Sequence, residues 1–536
     1  MTEETLAPRS VSRDTEKREG RGGRHRITKE TLAPRSVSRD TEKTTMKKYQ
    51  MLIDGAWTDP ASGEWLESVN PFTAAPWALV PRGSKADVDR AAEAARKAFY
   101  GDWRKLTASA RGALLHKLGA LIAADADRLA QIESTDNGKL IAEMRGQLNY
   151  IPQWFYYFAG LADKIEGRVI PIDKPGVFNY TREEPLGVVA AITPWNSPLL
   201  LAAWKLAPAL AAGNTVVWKP SEYSSVSTLE MGALFEKAGF PPGVVNIVTG
   251  LGSETGEHLI THPAVAKVAF TGGDKTGQHV YELAARGIKH VTLELGGKSA
   301  NIVFDDADLD SAVKGVVSGI FAATGQTCIA GSRALIQRSI HDEFVERLLA
   351  LAKTARMGNP LEATTQVGPI TTRPQYEKVL DYIRIAKEEG AVCRLGGEAS
   401  QRSECGTGWF VEPTIFTNVT PAMRIANEEV FGPVLSIIPF DDEDEAVRIA
   451  NSTIYGLAAG VWTTSIRRAL SMPERLEAGT IWVNTYRAVS YLSPFGGYKR
   501  SGIGRESGID AIREYLQTKS VWIDIAGNAP NPFVMR

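Results

Sequence analysis

"GVVAAITPWNSPLLLAAWKLAPALAAGNTVVWKPSE", residues 187–222, contains one full turn of a repeating pattern. An apolar run, "VVAAI", stops at the polar turn "TPWN". A helix-patterned stretch follows and closes on Gly213, and "TVVW" opens the next apolar run. Apolar runs without polar alternation are strands covered on both faces, and strands separated by helices pair in parallel. The pattern continues through "GVVNIVTG", "VAKVAFTGG" and "HVTLELGGKSANIVF", each preceded by a helical stretch. The fold class is therefore α/β, with a Rossmann-like parallel sheet. Ligands of such sheets bind beyond the carboxyl ends of the strands. The polar stretches "TPWN", "KPSE", "TGLGSETG", "TGGDKTG" and "ELGGKS" all lie at strand ends and are expected on one rim.

On the carboxyl side of residue 300 a second α/β series begins, with strands in "RALIQRS", "FVEPTIFTNV", "PVLSIIPF", "AAGVWT" and "TIWVNTY" and helices over 340–356 and 374–389. On the amino side, "YQMLIDGAW" (49–57) reads as a strand pair around an Asp-Gly turn, followed by helices. Residues 167–187 read as a projecting hairpin. The closing strand "KSVWIDIAG" is too short to stand alone and is expected to pair with that hairpin or across a subunit interface.

The first 45 residues differ from the rest. "TEETLAPRSVSRDTEK" (2–17) returns as "TKETLAPRSVSRDTEK" (28–43), with Glu3 and Lys29 as the one difference. Aromatics are absent there and large aliphatics few, so residues 1–45 read as a disordered duplicated extension. For the whole chain of 536 residues the net charge is −1, which gives no basic excess for nucleic acid. Three cysteines without a CxxC pair argue against a disulfide scaffold, and no Cys/His cluster has metal-ligand spacing. No apolar run reaches membrane-spanning length and no apolar leader is present, so a cytoplasmic location is expected.

Cys328, in "FAATGQTCIAGSR" (321–333), sits among small and polar residues rather than among Leu, Ile and Val. It is either an inert thiol or a nucleophile, and a nucleophile needs a base and an acceptor of negative charge. Glu294, at a buried strand end before two glycines, is either that base or a capped or salt-bridged acid. Asn196 is either an oxyanion donor or a turn residue. Lys219 and Glu222 at another strand end suit a ribose diol, although no GxGxxG fingerprint is present.

Taken in order, "TPWNSPLL", "LAPALAAGNTVVWKPSE", "VAFTGG", "LELGGKSANIV", "GQTCIAGSR", "EEVFGPV" and "SPFGGYKRSGIGRE" make the chain resemble the NAD(P)-dependent aldehyde dehydrogenase superfamily, of the non-phosphorylating, non-acylating kind, over roughly residues 47–525. The resemblance implies an NAD-binding domain over 46–161 and 186–296. It also implies a catalytic α/β domain over 297–504 and small β oligomerisation elements over 162–185 and 505–526. Cys328 would form a thiohemiacetal and then a thioester. Asn196 and the Cys328 N–H would hold the oxyanion, and Glu294 would activate the hydrolytic water. Lys205 and Glu506 would be a proton-relay pair. Lys219 and Glu222 would hold the adenosine ribose, and Glu429 and Phe431 the nicotinamide side. Thr193, Trp195, Gly252, Gly256, Gly273 and Leu295 would complete the cofactor site. Many relatives place a serine where this chain has Gly273.

The resemblance also implies a substrate tunnel walled by Tyr150, Trp154, Trp204 and Phe495, with Arg487 at its mouth. The expected partners are an aldehyde and further copies of the chain as dimer or tetramer, with no nucleic acid and no membrane. Glu222 favours NAD over NADP by charge repulsion, unless it swings aside and Lys219 accepts a 2′-phosphate. Arg487 either clamps a distal carboxylate or carbonyl of the substrate, or pairs with an acid or a second subunit. The competing functions are a CoA-acylating enzyme and a non-catalytic structural or binding protein on the same fold.

Overall fold

The computed structural model describes residues 46–527 and Phe533. The duplicated segment 1–45, expected to be disordered, lies outside the described residues.

The opening pattern folds as read. Strand Val188–Ile192, helix Pro198–Ala211 and strand Thr215–Lys219 follow one another, and every residue of both strands is buried. Proline at the helix start costs no hydrogen bond, because the first-turn N–H groups have no partner inside the helix. Gly213, with φ +94°, turns the chain out of it.

Five strands pair in parallel in the order His290–Glu294, Val265–Thr271, Val188–Ile192, Thr215–Lys219, Val245–Ile247. The hairpin Met51–Ile53 and Ala56–Thr58 extends one edge, and the short strand Gly502–Ile503 pairs antiparallel at the other. From Val188–Ile192 the chain builds outward in one direction, then returns to build in the other with Val265–Thr271. These two adjacent strands therefore flank the topological switch point, where a crevice opens beyond their carboxyl ends.

A second sheet of seven strands runs in the order Val392–Leu395, Thr414–Thr417, Val434–Phe440, Arg333–Gln337, Ala300–Val303, Ala458–Trp462, Thr480–Val483. It is parallel except for the antiparallel edge strand Val392–Leu395. "HVTLELGGKSANIVF" is two strands rather than one. His290–Glu294 ends the first sheet's run and Ala300–Val303 enters the second, with Gly296 and Gly297 in the link. The third region is a two-stranded ribbon, Val177–Pro185 against Leu516–Asp524, in register over nine pairs. The closing strand thus takes one of the partners expected for it, the 167–187 hairpin. Its amino-terminal arm contributes a single bridge, Val169 to Tyr180, and the closing strand takes the long pairing. No helix among the described residues is long and apolar enough to cross a membrane.

Candidate active site

Three adjoining cavities lie along the switch point. The first, about 1200 Å³, is a groove lined by Thr193, Trp195, Lys219, Glu222, Gly252, Gly256 and Gly273. The second, about 710 Å³, shares Trp195 and Gly273 with it and adds Asn196, Glu294, Cys328, Glu429 and Phe431. The third, about 1100 Å³, shares Asn196 and Cys328 with the second and is walled by Tyr150, Trp204, Arg487 and Phe495. Cys328 and Asn196 thus stand where the second and third cavities meet.

The cysteine loop is held in a strained shape. Ala323, Thr324 and Gly325 have φ of 52°, 54° and 67°, in the left-handed region that costs a non-glycine residue about 1–3 kcal/mol. Its surroundings fix it. The Ala323 N–H donates to Glu143 Oε1 at 2.8 Å, and Thr324 Oγ1 donates to the Gly368 carbonyl at 3.2 Å. Gln326 is clamped at both ends of its amide, Nε2 donating to Pro369 O at 3.1 Å and Oε1 accepting from the Thr371 N–H at 2.9 Å. At Gly325 a Cβ would lie 2.1 Å from the Gly432 carbonyl, so no side chain fits there. Asn196 Nδ2 donates to Gln326 O at 3.1 Å, which ties the two loops together and leaves its second N–H unspent.

Glu294 ends its strand with both carboxylate oxygens buried, beside the Cys328 thiol. Burial, reinforced by the charge of Glu506 and opposed by Lys205, raises its pKa to about 8. Burial and the carboxylates of Glu294 and Glu429 push the Cys328 thiol well up as well. Lys205 Nζ donates to Thr271 Oγ1 at 2.6 Å and ion-pairs with Glu506. Thr271 is the strand partner of Glu294, so this buried pair sits one strand away from the carboxylate.

Two glycines let the strand end thread between its neighbours. A Cβ on Gly296 would fall 2.3 Å from Glu429 Oε2, and one on Gly297 would fall 3.1 Å from the Cys328 carbonyl. Glu429 Oε1 accepts from the Gly297 N–H at 3.0 Å. Phe431, at φ +59°, presents its ring edge-on to Trp195, centroids 5.3 Å apart.

In the groove, Lys219 Nζ donates to Pro220 O at 2.8 Å and lies 3.9 Å from Glu222 Oε2, with burial lowering its pKa to about 8. Trp218 Nε1 donates to Thr193 Oγ1 at 3.0 Å. At Gly273, the residue before helix Asp274–Ala285, a Cβ would meet nothing within 4 Å.

Two expected site residues lie elsewhere. Trp154 does not line the tunnel. It is fully buried behind Trp204, stacked at 5.9 Å, and donates Nε1 to Ser507 Oγ at 2.9 Å, because its helix turns that face to the core. Leu295 points away from the groove into the core against Gly277. Conversely, Lys139, Glu143 and Gln147 line the tunnel unforeseen. Lys139 donates to Ser197 Oγ at 2.9 Å, and burial lowers its pKa to about 8. Glu143 and Gln147 lie on helix Ile141–Tyr150, and Lys139 in the link before it. Arg487, at φ +66°, donates to the Ser318 carbonyl at 3.3 Å and makes no ion pair with an acid of the described residues. No group of three or more His, Cys, Asp or Glu among the described residues is placed to hold a metal ion.

A parallel-sheet groove opening onto a loop cysteine faced by a buried carboxylate defines the class of site. Residues 57–521 match the aldehyde dehydrogenase family, and the chain belongs to that family. It is 47% identical over 495 residues to (Z)-2-((N-methylformamido)methylene)-5-hydroxybutyrolactone dehydrogenase of Acinetobacter baylyi, covering 92% of this chain and 100% of that protein. It is 45% identical to human retinal dehydrogenase 2, covering 90% and 92%. Among solved structures, betaine aldehyde dehydrogenase of Staphylococcus aureus in complex with NAD+ superposes with a TM-score of 0.89 at 40% identity, covering 91% of this chain and 97% of that one.

Proposed function

We propose that this protein oxidises an aldehyde to a carboxylic acid with NAD as cofactor, through a thioester on Cys328 that water hydrolyses. The observation that carries this reading is the place of Cys328, at the junction of the groove side and the tunnel with Glu294 and Asn196 beside it. An aldehyde entering by the tunnel meets the sulfur. The unspent Asn196 N–H and the Cys328 N–H, which has no partner among the described residues, face the oxygen that becomes negative. Glu294 takes the proton of the hydrolytic water, and the small residues around Cys328 leave room for a tetrahedral centre.

The groove fits a dinucleotide. It crosses the switch point, its floor at Gly252, Gly256 and Gly273 is open to close approach, and Glu222 stands half-buried at a strand end. Lys219 and Glu222 would hold the adenosine ribose and Glu429 the other ribose, with Trp195 and Phe431 beside the ring. NAD supplies the hydride acceptor when bound. The chain self-associates through the ribbon, whose Phe178, Trp522 and Ile523 are 42%, 55% and 43% exposed.

The tunnel selects the substrate. The names of the relatives span a lactone ring, retinal and betaine aldehyde, so the choice is read from this chain's own walls. Tyr150, Trp204 and Phe495 suit a ring or extended apolar body, and Arg487 suits a distal carbonyl or carboxylate. The experiment is NADH absorbance across an aldehyde panel, with and without CoA. Free acid as product, highest kcat/KM for an aromatic or semialdehyde compound with a distal polar group, and no effect of CoA support the reading. Acyl-CoA as product, or no NADH with any aldehyde, refutes it.

A further inference from the structure

Lys267 lies in strand Val265–Thr271, fully buried, and its ammonium nitrogen has no hydrogen-bond partner among the described residues. It stands 4.9 Å from the centre of the Tyr515 ring. The charged groups that reach it are Glu514, Glu506 and Lys205, while His290, its register neighbour in the next strand, is exposed. Glu506 gives Oε1 to Lys205, but Oε2 is buried and also unpartnered. Buried polar groups left without a partner are costly unless something satisfies them, and a bound water is the ordinary means. Beyond Lys267, half-buried Glu514 brings its Oε1 to 3.1 Å from where a Cβ of Gly504 would be, at the end of the strand whose Gly502 pairs with Glu294. Glu294, Lys205, Glu506, Lys267 and Glu514 thus act on one another as one cluster, with half-buried Glu514 as its most accessible member.

We propose that Lys267 and Glu514 continue the Lys205–Glu506 pair to solvent, as the outlet for the proton that Glu294 takes from the hydrolytic water. This rests on the role given to Glu294 above. In that step an O–H bond of water breaks, the oxygen bonds to the thioester carbon, and the C–S bond breaks with its electron pair going to sulfur. The proton on Glu294 is handed to the Lys205–Glu506 pair, one leaving as one arrives. It passes through the bridging water to neutral Lys267, then to Glu514 and bulk water, with no change of oxidation state. Burial lowers the Lys267 pKa to about 8, beside about 8 for Glu294, so the neutral amine exists where the carboxylate does its work. Lys267 and Glu514 are positioning residues, since neither touches substrate.

The test follows the acyl group on Cys328 by rapid quench and peptide mass, in the wild type, Lys267→Met, Lys267→Arg and Glu514→Gln. Formation of the acyl-enzyme reads the chemistry proposed for Cys328, and its decay reads the outlet. Formation should be unchanged in all variants. Decay should slow about tenfold in Lys267→Met, its rise with pH moving to higher pH because the positive charge that acts on Glu506 is gone. Lys267→Arg keeps the charge but gives up no proton, so its decay should keep the wild-type pH position and stay slow. Glu514→Gln, at the half-exposed end, should slow decay severalfold. Wild-type decay and pH profile in Lys267→Met, wild-type decay in Lys267→Arg, or in Glu514→Gln should Lys267→Met fail to fold, would overturn the outlet. An acyl-enzyme that never forms in the wild type would instead overturn the reading of Cys328.

Discussion

Lys205 and Glu506, 301 residues apart in the chain, form a buried ion pair, and Lys205 also donates at 2.6 Å to Thr271, the strand partner of Glu294. The charges act on Glu294 with opposite sign, Glu506 raising its pKa and Lys205 lowering it. The rise of turnover with pH, centred near 8 in the wild type, should therefore move up in Lys205→Met and down in Glu506→Gln. A pH–rate profile checks both directions. Lys205→Met also leaves a carboxylate buried and unpaired, and should lose about 3–5 kcal/mol in denaturant unfolding.

Cofactor choice should follow Glu222. The wild type is expected to favour NAD over NADP in kcat/KM, and Glu222→Gln to narrow that preference roughly tenfold by removing repulsion of a 2′-phosphate. A preference for NADP in the wild type would contradict the role of Glu222.

Gly273 has no atom within 4 Å of a would-be Cβ, so Gly273→Ser should fold normally. Its hydroxyl, set at the start of a helix of 12 residues, should lower the KM for NAD severalfold with no change in melting temperature. Isothermal titration with NAD gives the same comparison without turnover.

Arg487→Leu separates substrate recognition from scaffolding. With matched aldehydes that do and do not carry a distal carboxylate or carbonyl, KM should rise about tenfold for the polar member alone. Equal changes for both would make the hydrogen bond to Ser318 the whole role of Arg487.

The parallel sheets were legible because their strands are buried on both faces and read as unbroken apolar runs, as at Val188–Ile192. The rim followed, since a strand end in such a sheet has one place to go. What stayed hidden depends on packing across distant segments. The sequence "GQT" shows a turn, but only the fold shows Gln326 clamped between Pro369 and Thr371. Trp154 and Trp204 look alike as tunnel walls, and the difference between them is which helix face meets Ser507. Lys267 passed as one polar residue inside a strand, because a buried lysine is visible only once its neighbours are in place.

The central claim is that Cys328 carries the acyl group and Glu294 brings the water that removes it. Glu294→Gln mixed with NAD and an aldehyde, quenched and digested, tests this by peptide mass. The account predicts one NADH per site and the peptide containing Cys328 heavier by the aldehyde less the hydride and proton removed. An unmodified Cys328 peptide, or the adduct on Cys393 or Cys405, would contradict it.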